Sequence, residues 1–448
     1  MSRFLIKNAR VPTCLLFDDA SAPAVVGNGK GVDGGDFAAI HIMIDNGTIT
    51  GFANIDSPLS QLTDGRGVDQ TLDLDQGIVL PGFVECHTHL DKGHIWPRTP
   101  NPDGTFMGAL ENVGKDREAS WSAHDLKSRM EFSLRCAYAH GTTAIRTHLD
   151  SIGKQIALSW PVFAEMREAW KGRIALQAVP LFGIQMAVDP PHMAAVVDAV
   201  KQHGSGILGA VTFMCPELED GLDVMFRTAI SNGFDLDFHV DEASDPAARS
   251  LERIAAAAIR HQFKGRILCG HCCSLALQSV EDEARVIALV KQAGIAIVSL
   301  PLCNMYLQDR LPQRTPRWRG VTSLHELRAA GVPVMVSSDN TRDPFYAYGD
   351  LDALEVFREA TRIAHFDHPF GNWPESITRT PADFLRLGLD FGRITAGVPA
   401  DLIAFKARNW TELLSRPQHD RIVIRQGKRI DSALPDYREL DALQGMRP

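Results

Sequence analysis

Val79-Leu80-Pro81-Gly82-Phe83-Val84-Glu85-Cys86-His87-Thr88-His89-Leu90-Asp91-Lys92 decides how this chain is read. An apolar run halts at Pro-Gly, resumes as Phe-Val-Glu-Cys, and delivers two histidines two residues apart. Alternate side chains of a β-strand share a face. His87 and His89 therefore point the same way, as two ligands of one metal ion must. Imidazole nitrogen suits zinc, iron and related divalent ions. An HxH pair also arises by chance, and the remaining strands decide between the two readings.

From residue 77 onward a strand-then-helix rhythm repeats. The first strand runs from Ile78-Val79-Leu80 into Phe83-Val84-Glu85-Cys86. Thr143–His148, Ile174–Val179, Ile207–Val211, Leu236–Val240, Ile267–His271, Ile295–Leu300 and Val334–Asp339 follow. Helical patterns lie between them, among them Ala123–His140, Val162–Trp170, Pro191–His203, Ser250–His261 and Val280–Ala293. Eight such units in sequence predict an α/β fold, a (β/α)8 TIM barrel over residues 77–394.

The two ends read differently. Phe4-Leu5-Ile6, Ile40–Ile44 and Thr48-Ile49-Thr50 look like strands, with Asp45-Asn46-Gly47 as a hairpin signal. Gly397–Phe405 is a turn into a strand, and Arg421–Ile430 is a hairpin. Residues 1–76 and 395–448 are expected to pair into one small β-sandwich domain beside the barrel, ending in a polar tail or short helix from Ser432. Gly27–Asp36 is Gly-rich and reads as a loop. It lacks the Lys-Ser/Thr ending of a phosphate loop.

Composition narrows the partners. The 448 residues are 45% hydrophobic and 23% charged, as in an ordinary soluble protein, with a net charge of -9. No basic block or aromatic-interleaved basic patch points to nucleic acid. No run of about 18 apolar residues points to a membrane span. The eight cysteines form no disulfide framework, so a cytoplasmic location with reduced thiols is expected. Cys269-Gly270-His271-Cys272-Cys273 carries a CxxC spacing, but a thiolate zinc site needs a second pair. Assembly into a homo-oligomer is compatible with the sequence, which specifies no symmetry.

Barrel active sites lie at the C-terminal ends of the strands. His87 and His89 end the first strand, His239 with Glu242 the fifth, His271 the sixth and Asp339 the eighth. Singly, each has a plain structural reading, and Asp339 could be a helix N-cap. Together, three imidazoles and one carboxylate can hold one divalent metal ion, zinc or iron. Such an ion lowers the pKa of a bound water from about 15.7 toward about 7. Attack on a C=N or C=O carbon then needs a base for the water proton and an acid for the ring nitrogen and the leaving amine. Asp339 can serve as base and ligand, Glu242 can shuttle the proton, and His271 can polarise the attacked centre.

These residues resemble the amidohydrolase superfamily, and within it the cytosine deaminase branch. The motifs are His87-Thr88-His89-Leu90-Asp91, Arg146-Thr147-His148-Leu149-Asp150, His239-Val240-Asp241-Glu242, Gly270-His271, and Asp339 with Asp343-Pro344-Phe345-Tyr346. The resemblance implies a mononuclear enzyme, with His87, His89, His239 and Asp339 as ligands, Glu242 as proton shuttle and His271 as activating histidine. It also implies a small nitrogen heterocycle as substrate. Where that branch reads the pyrimidine amide with glutamine, this chain has Leu181. Asn340, and Lys92 after the HTH motif, are more similar to isopropylammelide amidohydrolase, which lacks the glutamate present here as Glu242.

The expected function is a metal-dependent aminohydrolase of a cytosine-like pyrimidine or related ring. Hydrolysis of a cyclic amide or of a triazine N-alkyl-amino group is the alternative among enzymes. A catalytically inactive barrel with a binding role is the alternative of another class. Trp96, Phe106, Leu181, Phe182, Asn304, Asn340 and Phe345 are the substrate-pocket candidates, and His148 and Asp150 are expected to support the ligands from behind.

Overall fold

The computed structural model describes residues 2–16 and 36–445. The Gly-rich segment lies outside the described residues except for Asp36. Four strands, β1 (Arg3–Pro12), β2 (Phe37–Asp45), β3 (Thr48–Asn54) and β4 (Gln70–Asp73), form a sheet in the order β3-β2-β1-β4. Asn46 and Gly47 turn β2 into β3 with φ of 50° and 85°, the left-handed pair that a two-residue hairpin needs.

Next come β5 (Val79–Pro81), β6 (Phe83–Thr88), β7 (Thr142–Asp150), β8 (Ala175–Leu181) and β9 (Ile207–Thr212). They are followed by β10 (Asp235–Val240), β11 (Ile267–His271), β12 (Ile295–Ser299) and β13 (Val334–Val336). β6 to β8 make one parallel sheet and β9 to β13 a second, with a helix after every strand. Every residue of β6, β7, β11, β12 and β13 is buried, as parallel strands covered on both faces require. Two isolated parallel bridges, Gly183–Val211 and Thr88–Asp339, connect the two sheets.

The expected first strand is in fact two strands in two sheets. β5 pairs antiparallel with β14 (Leu402–Ala404), whereas β6 pairs with β7. Pro81 has no N–H for a further rung. The Gly82 amide instead donates to Asp401 O at 2.8 Å, and a Cβ on Gly82 would lie 2.2 Å from Cγ2 of Thr143. A dipeptide that cannot continue a ladder thus hands the chain from one sheet to the next.

The chain ends meet as two sheets, bridged antiparallel between Thr48 and Pro399. β14, β15 (Ile422–Arg425) and β16 (Lys428–Arg429) line up with β5, not with the strands of β1 to β4. The two sheets share a core instead, in which Ile6, Ile40, Ile42 and Ile49 pack with Val79, Leu402 and Ile424. Beyond Ser432 the polar segment forms a short 3-10 helix, Tyr437–Leu443, opened by a capping box between Asp436 and Glu439. The helix expected from Val162 begins at Gln155 and runs through Pro161, which sits between fully buried Trp160 and Phe163. No described helix is long and apolar enough to cross a membrane.

Candidate active site

Strand alternation puts His87 and His89 on one face of the end of β6. β10 adds His239. Asp339 lies three residues past β13 with a left-handed φ of 66°. Its main-chain N–H donates to His87 O at 3.0 Å, and Thr88 Oγ1 donates to Asp339 O at 2.6 Å. The carboxylate is thereby fixed over the histidines. Asp339 Oδ1 stands 3.4 Å from His87 Nε2 and 3.2 Å from His89 Nε2, and His89 Nε2 stands 3.2 Å from His239 Nε2.

Four donor atoms from these residues lie within 4.8 Å of one another. Tetrahedral ligands about 2.0–2.1 Å from a zinc ion are roughly 3.3 Å apart, so the set fits such an ion. Both ring nitrogens of His87, Nδ1 of His89 and His239, and both carboxylate oxygens of Asp339 are buried without a hydrogen-bond partner among the described residues. Buried polar groups are rarely left so, and a cation among them would answer the deficit.

Protonation agrees with that use. Burial pushes His89 down to about 4 and His239 well below the usual histidine range. Burial alone would raise the Asp339 carboxyl, but the imidazoles of His271, His87 and His89 hold it well below the carboxylate range. Neutral imidazoles and an ionised carboxylate are the forms that ligate metals.

Support lies directly beneath. The Ser337 hydroxyl accepts from the amides of Cys86 and His87, each at 3.0 Å, and donates to buried Glu85. Glu85 also accepts from Ser338 N at 3.0 Å and Ser338 Oγ at 2.6 Å. His148 packs 4.1 Å from the His87 ring, and His87, His148 and Asp237 form a second candidate ligand group. Arg146 Nη1 donates to Asp237 at 2.9 Å. A guanidinium already balances that carboxylate, so the group with Asp339 is the better cation site.

Beside the donors stand Glu242, after β10, and His271, at the end of β11. Nδ1 of His271 is 3.5 Å from Glu242 Oε1. Asn304, in the helix Pro301–Leu307, lies behind both, donating Nδ2–H to Glu242 Oε1 at 3.2 Å and contacting His271 Nδ1 at 2.9 Å. Burial, and then the charge of Asp339, raise Glu242 well above the carboxylate range, so it can keep a proton near neutrality. Burial lowers His271 to about 3.

A cavity of about 320 Å³ opens above these groups and is lined mainly by apolar side chains. Of the pocket candidates, Leu181, Phe182, Phe106, Asn340 and Phe345 line it. Asn304 does not, because it is turned toward Glu242 and His271. Trp96 does not either; it is half-buried in the loop after β6, where its amide donates to Arg342 O at 2.8 Å. Lys92, Arg117, Asp150, Gln185 and Phe213 line the cavity without having been assigned to it from sequence. Asp150 shares a strand face with Arg146 and His148, a signal that placed it only in support. Arg117 arrives on the helix Phe106–Ser120, and nothing local in the sequence announces it.

Residues 135–431 match the amidohydrolase family. The chain is 59% identical over 373 residues to a pterin deaminase from Rhizobium rhizogenes, covering 83% of this chain and 85% of that one. Among solved structures it superposes on 5-methylcytosine deaminase from Klebsiella pneumoniae with a TM-score of 0.79 at 23% identity, covering 95% of this chain and 98% of the other. N-isopropylammelide isopropylaminohydrolase from Burkholderia multivorans gives a TM-score of 0.73 at 25% identity, covering 97% and 100%. The chain is a hydrolase of C–N bonds and belongs to the amidohydrolase family.

Proposed function

We propose that this protein is a metal-dependent pterin deaminase, which replaces the 2-amino group of a 2-amino-4-oxopteridine with oxygen and releases ammonia. The relative of 59% identity carries this reading. The cavity supports it, because Phe106, Phe182, Phe345 and Leu181 suit the faces of a flat aromatic bicycle. Leu181, where the cytosine deaminase branch has its amide-reading glutamine, weighs against cytosine itself.

His87, His89, His239 and Asp339 would hold one zinc or iron ion. When bound, the ion lowers the pKa of a water molecule and so supplies a nucleophile at neutral pH. Asp339 takes a proton from the attacking water. Glu242, held protonated by its buried setting, gives a proton to the ring nitrogen beside the attacked carbon and then relays one to the departing amine. His271 is neutral and turns its Nε2, which has no hydrogen-bond partner among the described residues, to the attacked centre. Water's two protons end on ammonia and on the ring, so the product is the 2,4-dioxo ring.

We further propose that the two parallel sheets form one closed (β/α)8 barrel from Gly82 to about residue 394, a reading that the bridges Gly183–Val211 and Thr88–Asp339 support. The shared core of the chain-end sheets supports a small β-sandwich beside it. Free cysteines at all eight positions support a cytoplasmic location.

The test is ammonia release by metal-supplemented protein from pterin, cytosine, 5-methylcytosine and isopropylammelide, with bound metal quantified and Asp339→Asn as control. About one ion per chain and turnover of pterin, lost in the control, is the expected result. Turnover of a pyrimidine or triazine in place of pterin would reassign the ring, and no turnover of any would remove the deaminase reading.

A further inference from the structure

Lys92 and Asp150 stand side by side on the cavity wall. Nζ of Lys92 is 2.9 Å from Oδ1 of Asp150, and both side chains are about 5% exposed. Neither can drift. Arg117 Nη1 donates to Oδ2 of Asp150 at 2.7 Å, and the Asp150 amide donates to Oδ2 of Asp91 at 2.7 Å. Lys92 lies 5.6 Å over the ring of Phe345. The ion pair is therefore anchored in a cavity lined mainly by apolar side chains, with Arg117, Gln185 and Asn340 as further polar groups.

It is also not saturated. An ammonium has three N–H donors, and a carboxylate has about four acceptor positions. Lys92 uses one donor on Asp150, and Asp150 accepts one contact on each oxygen. Among the described residues, a free donor and a free acceptor thus remain next to each other. A ring lactam offers the complement, a carbonyl oxygen beside an N–H. Glu242 and His271 reach the cavity from the ends of β10 and β11, whereas Lys92 and Asp150 come from the ends of β6 and β7. One end of a ring can thus meet the proton shuttle while another edge meets the ion pair. Leu181, on the same wall, can form no hydrogen bond with that edge.

We propose that Lys92 and Asp150 read the lactam edge of the substrate ring, Lys92 donating to the ring carbonyl oxygen and Asp150 accepting from the neighbouring ring N–H. This rests on the heterocycle-deaminase reading above. Its consequence is a specificity rule: the ring must carry an oxo group next to an N–H, and a ring with the reversed edge is refused. A buried polar pair left facing the wrong partners discriminates strongly, by roughly 100-fold or more.

The test compares metal-loaded wild type with Lys92→Met and Asp150→Asn on pterin and on 2,4-diaminopteridine, whose 4-amino group and bare ring nitrogen reverse the edge. Wild type is expected to prefer pterin by roughly 100-fold in kcat/KM, and Lys92→Met to lose most of that preference through a raised KM on pterin, with its metal content unchanged. Binding of the product 2,4-dioxopteridine, followed by its fluorescence, should weaken at least about tenfold in the same variant. Should Lys92→Met fail to fold, Asp150→Asn carries the test, with the preference for pterin expected to fall in the same direction. Wild-type activity on pterin with the preference intact in the variants overturns the edge-reading role alone. Activity of wild type on neither pteridine overturns the deaminase reading and this proposal with it.

Discussion

The side-chain nitrogen of Asn304 sits 2.9 Å from Nδ1 of His271, and that contact selects the histidine tautomer. An amide N–H pointing at Nδ1 makes it the acceptor, so the ring proton of neutral His271 sits on Nε2, facing the cavity. Asn304→Ala should therefore lower kcat by about 10–100-fold while KM and bound metal stay near wild type. Selective 15N-histidine spectra of the metal-loaded enzyme should show His271 moving from one tautomer to a mixture. A fall in metal content instead would mean that Asn304 acts on the ligands.

Chelation should abolish activity and lower thermal stability together. A ligand that binds only the folded state at 100 times its Kd adds about 2.7 kcal/mol. Melts of Asp339→Asn should respond far less to added zinc or iron than wild type, which shifts upward with each. A wild-type melt indifferent to metal would contradict the ligand set.

Asp352 links the helix Ala353–Ala364 to the last hairpin through Arg421, whose Nη1 and Nη2 donate to its two oxygens at 2.8 and 2.6 Å. Burial alone would raise this carboxyl, but Arg421 and then His140 hold it well below the carboxylate range. Its folded pKa lies under the unfolded value of about 3.9, so the folded state binds fewer protons as acid is added. The stability it contributes is complete above about pH 5 and is lost as the pH falls through 4 and below. Asp352→Asn should cost roughly 3 kcal/mol at pH 7 in urea unfolding, and the gap from wild type should narrow at pH 3. A gap that widens in acid would refute this account.

Gly82→Ala should destabilise the protein by about 1–3 kcal/mol, because the new methyl would collide with Cγ2 of Thr143. Thr143→Ser removes that methyl and keeps the hydroxyl, which donates to Phe83 O at 2.9 Å. The double variant should recover much of the loss in a thermal melt. No recovery would mean that the backbone at Gly82, not the methyl clash, sets the requirement.

Much of the site could be read from the chain because strand period is local. His87 and His89 share a face by simple alternation, and His239, His271 and Asp339 each follow a recognisable apolar strand. The cavity wall was less legible. Arg117 reaches it on a helix whose docking depends on tertiary packing. Asn304 carries a polar side chain at a suitable strand end, but the turn of its short helix aims it behind Glu242. The break between β5 and β6 was written in Pro81-Gly82, yet only the partner of each half, β14 and β7, shows that the pair separates two sheets.

Thr88 and Asp339 meet across 251 positions of chain and hold each other through the Thr88 hydroxyl. A ribosome must release the last parallel strand before the fourth donor can join the three histidines. A nascent or truncated chain that stops short of residue 339 would offer imidazoles alone, a weaker and less selective trap for cations. The full set of four donors is thus assembled only once the chain has passed the last parallel strand.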